Sequence, residues 1–113
     1  LEYSSNITQP VDFDTVFLNI HQLLETLIDA NIESCKSRAM TANQYFIGSG
    51  GDNKAFVYLH IEMLAGRALE KKQALGEQVQ ALLKEYYTPS SKDLELQISV
   101  RVSDMDNETY FKA

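Results

Sequence analysis

Two stretches of strict alternation set the tightest limit on how this chain folds. Val57, Leu59, Ile61 and Met63 alternate with Phe56, Tyr58, His60 and Glu62, and Leu94, Leu96, Ile98, Val100 and Val102 alternate with Glu95, Gln97, Ser99 and Arg101. Side chains leave a strand on opposite faces with period two, so each stretch predicts a strand with one apolar face that needs cover. Two helical stripes can supply it. Phe13, Val16, Phe17, Ile20, Leu24, Leu27 and Ile28 recur at three- and four-residue spacing. This predicts a helix capped by Asp12 and running to about Ala30, with Asp14 in the first turn where a carboxylate suits the helix dipole. Leu75, Val79, Leu82, Leu83 and Tyr86 mark a second helix, from about Leu69 to Tyr87. Thr88-Pro89-Ser90-Ser91 ends it, because proline cannot continue the backbone hydrogen bonding.

The remaining segments are less regular. Leu1 to Ser5 reads as the tail of a strand, and Asn6 to Pro10 as a polar turn. Between Cys35 and Ile47 the clearest strand signal is Tyr45-Phe46-Ile47. Gly48 to Asn53 is a loop of little side-chain bulk, suited to joining two neighbouring antiparallel strands. It is no phosphate loop, since Asp52, Asn53 and a strand follow where Gly-Lys-Ser/Thr and a helix are required. Residues after Asp104 are too polar and short to assign. The order is strand, helix, strand, twice over, and 113 residues suit one domain with an internal structural repeat, spanning 1–113. Two arrangements satisfy this order: the ferredoxin-like split fold, and two fused βαβ units with right-handed crossovers. Periodicity does not choose between them.

Charge narrows the function. Ten Lys and Arg stand against sixteen Asp and Glu, for a net charge of −6. Nucleic-acid binders concentrate positive charge, and this chain has neither a surplus nor a basic run. With Cys35 the single cysteine, paired-cysteine metal sites and intrachain disulfides are excluded. No stretch has the length of apolar sequence that a membrane span needs, and the expected location is the cytoplasm.

Three stretches carry a resemblance. Leu1-Glu2-Tyr3-Ser4-Ser5-Asn6, then Phe56 to His60 running on to Ala65-Gly66-Arg67-Ala68-Leu69-Glu70, and more weakly Lys36-Ser37-Arg38, resemble the 5-carboxymethyl-2-hydroxymuconate isomerase family of the tautomerase superfamily. The second is the most specific, and the resemblance fades after about Asp104. It implies an α+β tautomerase-like fold: two fused βαβ units forming a four-stranded mixed sheet with two helices on one face, assembled as a homotrimer. It also implies an isomerase needing no cofactor or metal, which shifts a proton in a 2-hydroxymuconate-type dienol to give the unsaturated 2-oxo acid. In that family an N-terminal proline is the base. By alignment it is expected four residues upstream of Leu1, and the shortness of Leu1–Ser5 as a strand agrees with a preceding segment. An α-amino group starts near about 7.7–8, and an apolar pocket with nearby cations lowers it towards neutrality. Pro10 and Pro89 cannot substitute, because an internal proline nitrogen is an amide without a basic lone pair.

Arg67 is the residue expected to act in catalysis. A guanidinium grips a carboxylate through two parallel hydrogen bonds, and the start of a helix is otherwise a poor place for a cation. The competing reading is a solvated arginine. Lys36 and Arg38 are the expected substrate-binding pair, projecting to one face if they lie on a strand. If Lys36 stands for an arginine, its bidentate fork is lost. His60 is read as a structural histidine, His21 as a surface residue and Cys35 as a packed thiol. Two rival functions remain: a non-catalytic ferredoxin-like module binding a small metabolite, and a superfamily relative with another substrate. The first rival requires interleaved antiparallel strands.

Overall fold

The computed structural model describes residues 1–113. Four strands, β1 (Glu2–Ser4), β2 (Met40–Ala42), β3 (Lys54–Leu64) and β4 (Glu95–Met105), are joined through helices α1 (Phe13–Ile28), α2 (Leu69–Tyr86) and α3 (Thr88–Asp93). The sheet order is β2-β1-β3-β4. Both β1–β2 and β3–β4 are parallel, and the two pairs meet antiparallel at β1–β3. These directions decide the fold, because a parallel pair needs a crossover and each pair here has a helix in its connection. The chain is two fused βαβ units, and the split ferredoxin-like arrangement is excluded.

One face of the sheet is the core. Ala55, Val57, Leu59, Ile61 and Met63 of β3 are buried together with Val16, Ile20, Leu24 and Ile28 of α1 and Leu75, Val79 and Leu83 of α2. Each large aliphatic side chain buried there contributes roughly 1.5–3 kcal/mol. Phe56, Tyr58 and His60, on the opposite face of β3, stay half-buried. The longest ladder, from Lys54 opposite Glu95 to Leu64 opposite Met105, keeps the two alternating stretches in step.

Local chemistry sets the helix ends. The Asp12 carboxylate accepts from the Thr15 backbone N–H at 3.2 Å and from its hydroxyl at 2.7 Å. At the other end of α1, Asp29 takes a left-handed conformation with φ of 57°. Gln9 links the halves of the chain, donating to the Tyr86 carbonyl at 3.2 Å and accepting from the Ser90 N–H at 3.0 Å.

Several sequence expectations need correction. Tyr45-Phe46-Ile47 forms no strand; β2 lies earlier, at Met40–Ala42. The last β1–β2 rung is Ser5 N–H to the Ala42 carbonyl, and beyond it β1 offers nothing for Tyr45 to pair with. β propensity alone makes no strand without a partner edge. The Gly48–Asn53 loop does not join sheet neighbours, since β1 lies between β2 and β3. Lys36 and Arg38 precede β2 and lie outside any regular strand. Pro89 does follow the end of α2, but the chain then re-enters a helix, α3, with the proline in its first turn, where a missing N–H costs nothing. β4 runs on to Met105, beyond the alternation that predicted it. No helix is long and apolar enough to cross a membrane.

Candidate active site

Arg67 follows the tight exit from β3. Ala65 makes the last rung with β4, its N–H donating to the Met105 carbonyl at 3.2 Å. Gly66 then takes φ of 124°, a conformation that side chains rarely adopt. The Arg67 side chain is held by two carbonyls, Nε donating to Ile28 at 3.0 Å and Nη1 to Leu64 at 3.2 Å. Ile28 ends α1, so the guanidinium sits where the helix dipole favours a cation. The expectation that Arg67 occupies an unfavourable place therefore fails: its charge serves the C-terminus of α1, not the start of α2. No carboxylate pairs with it, and its remaining N–H donors are free for another acceptor.

Lys36 directly follows Cys35, a residue whose thiol feels the charge of Arg67. Burial pushes the Cys35 thiol above its ordinary value, with Glu25 acting the same way, while the charges of Arg67 and Lys36 act on it in the opposite sense. Cys35 is half-buried and its Sγ lies 3.6 Å from the Asn31 carbonyl, as expected of a packed thiol. Arg38 is tied elsewhere, to the start of β1. Its carbonyl accepts from the Leu1 nitrogen at 2.8 Å, and Met40 N–H donates to the Leu1 carbonyl at 2.8 Å. The segment that carries Lys36 and Arg38 leads into β2 at the end of the sheet where β3 finishes and Arg67 follows, with Arg38 beside the start of β1.

The C-terminal residues cross this same end. Asp106 opens a turn, its carboxylate accepting from Glu108 N–H at 2.9 Å and its carbonyl from Thr109 N–H at 3.2 Å. Asn107 grips Ala65 on both sides, accepting from its N–H at 3.0 Å and donating to its carbonyl at 3.3 Å. Lys112 then reaches Ser34, Nζ to Oγ at 3.3 Å. Nothing in the sequence marks this strap, because its polar residues have no periodicity and its partners lie far away along the chain.

The other residues weighed from sequence have local partners. His60 Nε2 lies 2.6 Å from Ser103 Oγ across the β3–β4 ladder, with Glu62 3.9 Å from Nδ1. His21 lies 2.7 Å from Ser37 Oγ, and burial holds its pKa below the ordinary value. A concavity of about 580 Å³ is lined by Ser5, Asn6, Asn43, Gln44, Tyr45 and Asp52 among others. It lies at the end of the sheet where β3 begins, whereas Arg67 follows the end of β3, roughly 30 Å away at strand rise. Asp52 is the one charged side chain in its lining.

Comparison with known proteins gives consistent findings. A family model described as 5-carboxymethyl-2-hydroxymuconate isomerase matches residues 1–113. The chain is 23% identical over 112 residues to the 5-carboxymethyl-2-hydroxymuconate Delta-isomerase of Escherichia coli, covering 99% of this chain and 89% of that protein. Among solved structures it is similar to a 5-carboxymethyl-2-hydroxymuconate isomerase from Deinococcus radiodurans R1, with a TM-score of 0.88, 22% identity, and coverage of 99% of this chain and 84% of that one. A fused 4-OT wild type symmetric trimer gives a TM-score of 0.71 at 17% identity, covering 99% of this chain and 89% of its own.

Proposed function

Because the chain belongs to the 5-carboxymethyl-2-hydroxymuconate isomerase family, we propose that it isomerises a carboxylated 2-hydroxymuconate-type dienol such as 5-carboxymethyl-2-hydroxymuconate, without a cofactor, in aromatic-compound breakdown in the cytoplasm. The enol hydroxyl gives its proton to the base, the conjugated system shifts, and the same proton returns at a distant carbon. The product is the unsaturated 2-oxo acid, and the base ends unchanged.

The base in this reading is the nitrogen of an N-terminal proline four residues before Leu1, in a tautomerase-like domain that includes residues 1–113. One geometric observation supports it. Glu2 pairs with Tyr58 and Tyr3 with Val57 in antiparallel register. Counting back five positions from Glu2 counts forward five from Tyr58, to Met63. A strand continuing β1 backwards therefore brings its fourth added residue beside Met63 and Leu64, and the Leu64 carbonyl is one of the two that hold Arg67. The base then stands at the cationic end of the sheet. There Arg67 takes a substrate carboxylate or the developing dienolate oxygen, an electrostatic stabilisation of several kcal/mol. Lys36 and Arg38 add positive charge for the other carboxylates.

Assembly as a homotrimer fits the same reading. Phe56, Tyr58 and His60 lie on the sheet face without helices, and β2 and β4 each leave an unpaired edge. Sedimentation equilibrium tests the oligomer. The decisive assay uses protein shown by intact mass to begin with that proline, mixed with 5-carboxymethyl-2-hydroxymuconate and followed by ultraviolet absorbance. Conversion to the 2-oxo acid is expected; no turnover by such protein overturns the reading.

A further inference from the structure

We propose that the C-terminal strap is a wall of this site and that Lys112 is a specificity-determining residue, binding the carboxylate that distinguishes a tricarboxylate from a dicarboxylate. The inference rests on the isomerase reading for the identity of the substrate, but its geometry is separate. Asp106 turns the chain out of β4, and Asn107 fastens it to Ala65 through both backbone groups of that residue. Ala65 lies two residues from Arg67 and two beyond the Met63 position that an extended β1 meets. From that anchor the strap reaches Ser34, at the end of the 3-10 turn Ile32–Ser34 and two residues before Lys36. It therefore bridges the two segments that carry Arg67 and Lys36.

Charge and exposure give the strap its chemistry. The partner of Lys112 is a neutral hydroxyl, and no carboxylate lies within ion-pair distance of its Nζ. On a chain of net charge −6, a cation held by a neutral group keeps its charge available for an anionic ligand. Three cations from three segments, Arg67, Lys36 and Lys112, then border one end of the sheet. A 5-carboxymethyl-substituted muconate presents three carboxylates and its unsubstituted relative two. Phe111, beside Lys112, is 87% exposed and finds no cover within the subunit, which leaves an apolar surface next to the cation.

Equilibrium binding of two unreactive probes tests the proposal: 2-(carboxymethyl)hexanedioate, with three carboxylates, and hexanedioate, with two. The unsubstituted protein is expected to bind the tricarboxylate about tenfold more tightly, the equivalent of one charge-assisted contact. Lys112→Met removes that preference while leaving hexanedioate binding as it was, Lys112→Arg restores most of it, and Lys92→Met on α3 changes neither affinity. Lys112 is exposed, and a far-ultraviolet spectrum verifies that each variant is folded. A protein with no preference for the tricarboxylate, or a Lys112→Met variant that keeps it, overturns the proposal. The two readings fail separately. Turnover of the dienol with an unchanged preference in Lys112→Met removes only the role of Lys112; Lys112-dependent binding without turnover removes only the isomerase.

Discussion

Replacing Tyr87 with phenylalanine probes the core where its chemistry is least comfortable. Tyr87 is 1% exposed, and its hydroxyl is buried without a hydrogen-bond partner. A buried hydroxyl lacking a partner costs about 1–3 kcal/mol in desolvation. Tyr87→Phe removes that cost and loses only the packing of one oxygen, so a gain of about 0.5–2 kcal/mol near neutral pH is expected. The same site makes a prediction about alkali. Burial, helped by the nearby Tyr3 and Tyr86, pushes the Tyr87 pKa from the ordinary value near 10 up to about 12. Between those values the unfolded chain releases a proton that the folded chain keeps, so folding stability falls as pH rises. The contribution is fully present below about pH 10 and is lost through about pH 12. Two units correspond to at most about 2.7 kcal/mol. Urea unfolding followed by circular dichroism from pH 8 to 12 should show this fall in the parent protein, and Tyr87→Phe should flatten it by up to that amount. The difference between the two proteins isolates Tyr87 from the other tyrosines. A Tyr87→Phe protein less stable by more than about 1 kcal/mol at neutral pH would falsify the reasoning, since it would mean that the hydroxyl is satisfied.

Three further outcomes follow from the geometry. Asp29→Gly should raise stability by about 0.5–1 kcal/mol in urea unfolding, because glycine accepts the left-handed φ of 57° without strain and removes a carboxylate from the negative end of α1. Leu75→Ala, at a position with no exposure between α2 and the sheet, should cost about 2–5 kcal/mol of unfolding free energy and leave a cavity. Arg67→Met should lower stability by about 1–2 kcal/mol through the orphaned Ile28 and Leu64 carbonyls; if the isomerase reading holds, it should also lower kcat/KM at least about a hundredfold. Arg67→Lys should recover part of the stability and little of the activity, and equal recovery of both would assign Arg67 to helix capping alone.

The candidate site was only partly legible in the sequence. The Ala65-Gly66-Arg67 turn stood out because its glycine and arginine directly follow an alternating strand, and the structure gives that glycine the positive φ its presence implies. Sequence position strands the Arg67 cation at the start of a helix, but a side chain of that length reaches a different helix. Lys36 and Arg38 share the segment that leads into β2, and the Arg38 carbonyl is tied to the start of β1. Their even spacing projects to a common face only on a regular strand, and here the chain is irregular. The strap is not legible in the sequence because hydrogen bonds between Asn107 and Ala65, or Lys112 and Ser34, leave no trace in local pattern.

The sequence by itself determined the two long helices, the two alternating strands and their order. Apolar periodicity is a property of neighbouring residues, and burial of a stripe or a face has one local geometry for each period. Tertiary structure alone decided which strands run parallel, where β2 falls, which carbonyls hold Arg67 and what the last residues cover. Those depend on partners brought together from distant parts of the chain, and a backbone edge or a cation shows no preference for a partner until packing of the core has placed one within reach.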